Sequence, residues 1–126
     1  MSHHRILVVD DFGAMRQVIR RFLGMYGLRR VDEAEDGTSA LAKLQEKPYT
    51  LIIADWKMQP MTGIELLRRV RADERYRSIP FLMVTSDAEP DSVLAAREAG
   101  VSGYVAKPFS ATTLKAKIES ICGPLN

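Results

Sequence analysis

Short apolar runs alternate with longer stretches of mixed character along this chain. Three runs are strongly apolar, at residues 6–9, 51–54 and 79–84, and two are weaker, at residues 30–34 and 103–106. An apolar run without alternation is typical of a strand buried on both faces of a parallel sheet. The strong runs are therefore predicted as central strands, and the half-polar run at residues 30–34 as a strand near an edge.

The stretches between these runs carry apolar residues at helical spacing. Helices are predicted over residues 14–26, 38–46, 62–74, 90–100 and 111–121. Thr62 and Glu65 form a capping box at the start of the third, and Ser110 caps the fifth. Gly27 and Gly100 mark C-terminal ends. Strand and helix thus alternate five times, which predicts a single α/β domain over residues 1–126. We expect a doubly wound, flavodoxin-like parallel sheet of five strands in the order 2-1-3-4-5.

The composition of the chain narrows the class of protein and its compartment but does not change the predicted fold. The chain has 126 residues, of which 46% are hydrophobic and 27% charged, with a net charge of +2, as in an ordinary globular protein. One cysteine excludes an internal disulfide and fits a reducing compartment. No apolar run approaches a membrane span, so a cytoplasmic protein with no membrane partner is expected.

Polar residues stand where the apolar strands end. Asp10 and Asp11 follow the first run, Asp55 the third, Thr85 the fourth and Lys107 the fifth. The carboxyl ends of parallel strands meet at one edge, so these side chains should converge there. Clustered carboxylates repel one another, and oxygen-only ligands suit Mg²⁺. Lys107 and Thr85 could contact phosphoryl oxygens, and an aspartate can itself be a nucleophile.

These residues resemble the receiver domain of bacterial two-component response regulators, over the whole chain. The matching pieces are Val8-Val9-Asp10-Asp11, Ala54-Asp55-Trp56 with Met58 and Met61-Thr62-Gly63, Val84-Thr85-Ser86, and Tyr104-Val105-Ala106-Lys107-Pro108-Phe109. The likeness is strongest to stand-alone chemotaxis-type receivers, which also carry tryptophan after the acceptor aspartate.

The resemblance implies a role for each site residue. Asp55 would accept a phosphoryl group from a histidine kinase or a histidine phosphotransfer protein, and Lys107 would contact the phosphate. Mg²⁺ would be held by Asp11, Asp55 and the Lys57 carbonyl, with Asp10 acting mainly through water.

The resemblance also implies a switch and an output surface. Thr85 and Tyr104 would form the switch pair, and the Lys107–Pro108 peptide bond would be cis. A downstream protein would bind the face formed by the fourth helix, fifth strand and fifth helix. The chain would have no DNA-binding or other output domain and would be a signalling protein, not an enzyme.

Several features depart from the family pattern or remain open. Gln59 stands where the family usually has proline, with Pro60 following. The acidic segment 89–91 replaces a region that is often basic in receivers that bind the flagellar motor. Lys57 and Asp87 could form a bridge that screens the phosphoryl group from water. Ten arginines are interpreted as lying on solvated helix faces rather than on a docking surface for an acidic partner or a nucleotide: Arg16, Arg20, Arg21, Arg29, Arg30, Arg68, Arg69, Arg71, Arg75 and Arg77.

Other functions fit the sequence less well. A phosphate shuttle in a phosphorelay uses the same residues and stays open. A Mg²⁺-dependent phosphatase of the haloacid-dehalogenase type needs an Asp-x-Asp after a strand, which neither Asp10-Asp11 nor Asp55-Trp56-Lys57 provides. A flavodoxin-like redox protein would need a Ser/Thr-rich phosphate loop, which the first loop lacks.

Overall fold

Five short strands form one parallel sheet in the computed structural model, which describes residues 3–86 and 90–125. The strands are β1 (Ile6–Val9), β2 (Val31–Ala34), β3 (Leu51–Asp55), β4 (Phe81–Thr85) and β5 (Gly103–Ala106). Their order is β2-β1-β3-β4-β5, and every neighbouring pair is parallel. Every residue of β1, β3 and β4 is buried, whereas the edge strands β2 and β5 are partly exposed. The predicted fold and strand order are confirmed.

A helix follows each strand. The helices are α1 (Gly13–Met25), α2 (Gly37–Leu44), α3 (Gly63–Ala72), α4 (Pro90–Glu98) and α5 (Ala111–Cys122). The Thr62–Glu65 capping box and the Ser110 cap are both present. Gly27 and Gly100 adopt positive φ angles of 80° and 92° after α1 and α4, as expected of glycines that end helices. None of the helices in the described ranges is long and apolar enough to cross a bilayer.

Most element boundaries differ from the sequence prediction by one or two residues, and three of these differences have a clear local reason. Helix α2 ends at Leu44 rather than at residue 46, because the next two amides bond to carbonyls three residues back, in a tightened last turn. Helix α3 ends at Ala72, since Asp73 is extended with φ −100° and ψ 120°. Strand β4 begins at Phe81, because Pro80 has no N–H for the ladder.

The alternating side chains of the strands divide the core into two layers. Ile6 and Val8 point to the layer completed by α1 and α5, whereas Leu7 and Val9 point to the layer completed by α2 and α3. Each fully buried aliphatic side chain stabilises the fold by about 1.5–3 kcal/mol relative to an exposed one. Both faces of the sheet are thereby covered, and polar chemistry is confined to its ends.

Candidate functional site

Three carboxylates meet at the carboxyl edge of the sheet. Asp55 is the last residue of β3 and only 8% exposed, and Asp10, directly after β1, is 1% exposed. Asp11 is exposed beside it. One carboxylate oxygen from each residue lies within 4.8 Å of the other two. The predicted convergence of Asp10, Asp11 and Asp55 is therefore present.

Lys107 brings a positive charge to this cluster from the end of β5. Its ammonium nitrogen lies 2.7 Å from Asp55 Oδ1 and 3.8 Å from Asp10 Oδ2. Its backbone N–H donates to the Thr85 carbonyl at 2.7 Å, and the peptide bond to Pro108 is cis, as the resemblance implies. The side chain of Lys107 is therefore held between two carboxylates by the strand that precedes it.

Asp10 has the least favourable environment of the three carboxylates. Its Oδ1 accepts a hydrogen bond from the Phe12 N–H at 2.9 Å, but Oδ2 is buried and has no hydrogen-bond partner among the described residues. The Lys107 ammonium at 3.8 Å from Oδ2 is close enough for an ion pair and too far for a hydrogen bond. Burial raises the pKa of Asp10 to about 6, with Asp55 and Asp11 adding to the rise and Phe12 and Lys107 opposing it.

The donor set matches a hard divalent cation. The cluster offers carboxylate oxygens only, and the buried Oδ2 of Asp10 is a polar atom that lacks a partner in the described part of the chain. Mg²⁺ prefers such oxygens and keeps several waters. Lys57 lies in the loop two residues after Asp55, with an exposed side chain. The contribution of its carbonyl to a metal shell stays a prediction.

A close approach between α3 and β3 fixes the backbone of Asp55. The Gly63 N–H donates to the Trp56 carbonyl at 2.9 Å, and the Trp56 N–H donates to the Val84 carbonyl at 2.8 Å. A methyl group at Gly63 would overlap the Asp55 carbonyl oxygen and lie 2.9 Å from the Met83 sulfur. Only glycine leaves room for this contact.

The loop between Asp55 and α3 shows how the departure at Gln59 is accommodated. The Gln59–Pro60 peptide bond is cis, which the sequence pattern did not predict. Met58, just before it, is 1% exposed and packs in the α2–α3 layer of the core. Met58 is therefore a packing residue.

The two residues of the predicted switch pair lie on the same face of neighbouring strands. Thr85 is paired with Ala106, and Met83 with Tyr104, so the side chains of Thr85 and Tyr104 share one face of the sheet. Thr85 is 5% exposed, whereas Tyr104 is 36% exposed with the Lys117 ammonium 5.6 Å from its ring centre. Tyr104 is thus turned outward in this structure.

Two of the ten arginines are half-buried and bonded to backbone carbonyls, whereas the sequence was interpreted as placing all ten on solvated helix faces. The Arg16 guanidinium donates to the Asp10 carbonyl at 2.7 Å and to Glu33 at 2.9 Å. The Arg71 guanidinium donates hydrogen bonds to three backbone carbonyls. One is that of Gly100, just after α4, and two are those of Arg77 and Ile79, in the loop before β4. Sequence spacing placed Arg16 on the polar face of α1, and nothing in that pattern distinguishes it from its exposed neighbours.

Two sequence-based suggestions concern residues outside the described part of the chain. Asp87, the suggested partner of Lys57, and Glu89 of the acidic segment 89–91 lie outside the described residues. The N-cap residue of α1 is Phe12, whose side chain makes no capping hydrogen bond, so neither Asp10 nor Asp11 caps this helix.

Known proteins match this chain along nearly its whole length, and they point to one family. The family model of the response regulator receiver domain matches residues 6–119. The chain is 49% identical over 122 residues to a chemotaxis protein CheY from Pseudomonas aeruginosa, covering 97% of this chain and 98% of that protein. It is 42% identical over 117 residues to chemotaxis protein CheY-3 from Vibrio cholerae, covering 93% and 90%.

Solved structures give the same result. Chemotaxis protein CheY4 from Vibrio cholerae superposes with a TM-score of 0.88 at 34% identity, covering 94% of this chain and 98% of that one. The receiver domain of a sensor histidine kinase from Pseudomonas aeruginosa superposes with a TM-score of 0.86 at 28% identity, covering 96% and 98%. The latter structure has a magnesium ion coordinated in its active-site cleft.

Proposed function

This chain belongs to the response regulator receiver domain family, and from that premise we propose that Asp55 accepts a phosphoryl group with the help of Mg²⁺. The observation that carries the proposal is the meeting of Asp10, Asp11, Asp55 and Lys107 at one edge of the sheet. Phosphorylation then changes a protein–protein contact elsewhere on the surface.

Transfer from a phosphohistidine needs little covalent chemistry from the protein. A carboxylate oxygen of Asp55 forms a bond to phosphorus while the phosphorus–nitrogen bond breaks, and the imidazole nitrogen leaves with its electron pair. The product is an acyl phosphate on Asp55. Positioning and neutralisation of charge carry such a step, because the charge on the transferred group spreads over its oxygens.

The residues around Asp55 supply that positioning. The Lys107 ammonium, already 2.7 Å from Asp55 Oδ1, is close enough to contact a phosphoryl oxygen on the same carboxylate. Asp11, Asp55 and the Lys57 carbonyl would hold Mg²⁺, and Asp10 would act on it through water. When bound, Mg²⁺ neutralises the clustered carboxylates and the incoming phosphate. The buried Oδ2 of Asp10, which has no hydrogen-bond partner among residues 3–86 and 90–125, supports this assignment.

Switching follows from the position of Thr85 beside the acceptor. Thr85 ends β4 next to β3, so its hydroxyl can move towards a phosphoryl oxygen on Asp55. That movement leaves room for Tyr104 to turn inward from its exposed position. The surface of α4, β5 and α5 then changes shape, which is a shift between two states. A downstream protein recognises one of the two states.

The partners follow from the same chemistry. The phosphodonor is a sensor histidine kinase or a histidine phosphotransfer protein, and the acceptor of the signal is a protein that binds the α4–β5–α5 face. The two relatives named for chemotaxis, at 49% and 42% identity, support a role of this chain in that process. A shuttle role in a phosphorelay would use the same Asp55 chemistry with a second phosphotransfer protein as the recipient.

The chain is proposed to be a phosphoacceptor and not a turnover enzyme. The Asp-x-Asp that a haloacid-dehalogenase phosphatase places after a strand is missing after both β1 and β3. Loss of phosphate from Asp55 would therefore be self-hydrolysis, and generic phosphomonoesters should not be turned over.

Labelling with a small phosphodonor tests the proposal. In the presence of Mg²⁺ the parent protein should gain one phosphate by intact mass, which hydroxylamine removes, and chelation of Mg²⁺ should prevent the gain. Asp55→Asn should gain none. Asp73→Asn, which changes an aspartate at the end of α3, is the matched control and should label like the parent. Equal labelling of Asp55→Asn and the parent would refute the assignment.

A further inference from the structure

Arg16 connects the acidic site to the edge of the sheet. Its Nε donates to Glu33 Oε1 at 2.9 Å on β2, and its Nη1 donates to the carbonyl of Asp10 at 2.7 Å. The Arg16 side chain is 21% exposed, so both contacts are largely shielded from water. The fork of the guanidinium thus holds the end of β1 and the side of β2 at the same time.

The contact with Arg16 completes the tethering of Asp10. The Asp10 N–H donates to the Ala34 carbonyl at 3.1 Å, its Oδ1 accepts from the Phe12 N–H at 2.9 Å, and its carbonyl accepts from Arg16 at 2.7 Å. Three of the four polar groups of Asp10 are therefore fixed. The fourth, Oδ2, faces Lys107 at 3.8 Å.

We propose that Arg16 is a positioning residue for the metal site, acting through the Asp10–Asp11 peptide unit. The carbonyl that Arg16 holds belongs to the peptide bond between these two residues, so its orientation sets the direction in which both carboxylates leave the backbone. Glu33 orients Arg16 in turn. This inference rests on the proposed Mg²⁺ site. Outer contacts of this kind tune metal affinity without touching the metal.

Charge alone predicts the opposite effect, which makes the proposal testable by its sign. Arg16 is a cation beside a site for a cation, so removing it should tighten Mg²⁺ binding if only Coulomb forces act. If Arg16 positions Asp10 and Asp11, removing it should weaken binding. The direction of the change therefore separates the two accounts.

Arg20 provides a matched control. Its Nη1 donates to the other oxygen of the same Glu33, Oε2, at 3.0 Å, one helical turn from Arg16. In residues 3–86 and 90–125, Arg20 makes no hydrogen bond to Asp10. Removing Arg20 thus removes the same charge from the same ion-pair network and leaves the Asp10 carbonyl held.

The experiment is a Mg²⁺ titration followed by the fluorescence of Trp56, the one tryptophan of the chain, next to Asp55. Arg16→Met should bind Mg²⁺ about ten-fold more weakly than the parent, at the lower end of the range for outer contacts of metal sites. Arg20→Met should bind like the parent or slightly more tightly. An affinity of Arg16→Met equal to or above that of the parent would overturn the proposal.

A second variant keeps the test decisive if Arg16→Met does not fold. Arg16→Lys has the charge of the parent but lacks the fork, so it cannot hold Glu33 and the Asp10 carbonyl in the same geometry. It should bind Mg²⁺ more weakly than the parent, and parity would again overturn the role of the fork. A parent protein that binds no Mg²⁺ would instead refute the metal site itself, and this role with it.

Discussion

At the scale of single residues, Asp10 sets the electrostatic character of the site. It is 1% exposed, its Oδ2 lacks a hydrogen bond among the described residues, and burial raises its pKa to about 6. A carboxylate in such a place opposes folding when it is charged, unless a cation compensates it. The Lys107 ammonium compensates the charge of the Asp10 carboxylate in part, and the proposed Mg²⁺ would compensate the rest.

The raised pKa of Asp10 predicts how stability depends on pH without divalent ions. A pKa of Asp10 that is higher in the folded than in the unfolded state means that the folded state binds the proton more tightly. Protonation of Asp10 therefore stabilises the fold fully below about pH 4, and this contribution is lost as the pH rises through about 6. The loss attributable to Asp10 should be on the order of 3 kcal/mol, from a shift of about two pKa units. Urea denaturation in a chelator across this range measures it.

Comparison with variants isolates the contribution of Asp10. Asp10→Asn keeps an acceptor for the Phe12 N–H and carries no charge, so it should be more stable than the parent at pH 7 and lose less stability between pH 4 and 6. Asp11→Asn alters the exposed neighbour and should change the pH dependence much less. Parallel curves for Asp10→Asn and the parent would contradict this account.

The sequence predicted which residues meet at this site but not how each is held. Because the carboxyl ends of parallel strands share an edge, the position of Asp55 after an apolar run was sufficient to place it there. The role of Arg16 was not predictable, because its spacing on α1 is the same for a solvated arginine and for one that bonds to a carbonyl. Contacts between a side chain and a distant backbone carbonyl leave no periodic signal.

At the scale of elements, the start of α3 determines the position of Asp55. Gly63 lies against the Asp55 carbonyl, and the Thr62–Glu65 capping box begins the helix at this point. The capping box is local and could be predicted from spacing. Glycine is needed at residue 63 because this residue packs against β3, and only the structure shows that contact.

Gly63→Ala should therefore disturb both stability and the site. The added methyl overlaps backbone and not a flexible side chain, so the helix start or β3 must move, at a cost of about 1–3 kcal/mol. Gly24→Ala is the matched control, since a methyl there meets nothing within 4 Å, and it should stabilise α1 by about 0.5–1 kcal/mol. Urea midpoints and phosphate uptake at Asp55 measure both effects. Unchanged uptake and stability in Gly63→Ala would show that the contact is unimportant.

Element boundaries show the same division between local and distant causes. The type of all ten elements followed from periodicity and from caps within a few residues. The ends of α2 and α3 could not be predicted in the same way. The last turn of α2 tightens through backbone hydrogen bonds, and α3 ends where Asp73 becomes extended, and neither event has a signature in the sequence.

At the scale of the whole molecule, the account requires Asp55 to communicate with the α4–β5–α5 face. Thr85 is next to Asp55 through the pairing of β3 with β4, and Tyr104 is on the same face of β5. The proposed communication from Asp55 to Tyr104 therefore crosses from β3 to β4 and from β4 to β5, and it depends on the buried hydroxyl of Thr85.

Thr85→Ala should uncouple phosphorylation from the change at that face. The variant should still gain phosphate on Asp55, but the amide resonances of β5 around Tyr104 should move much less than in the phosphorylated parent. Thr112→Ala, an exposed threonine on α5, should behave like the parent. The same resonance shifts in Thr85→Ala and the parent would mean that Thr85 does not transmit the change.

Mapping the site of phosphorylation tests the central claim most directly. The protein is phosphorylated with a small phosphodonor and Mg²⁺ and then treated with borohydride, which reduces an acyl phosphate to the corresponding alcohol and marks the residue for peptide sequencing by mass. The account predicts reduction at Asp55 alone. Reduction at Asp10 or Asp11, or phosphate found on a residue that borohydride leaves unchanged, would contradict it.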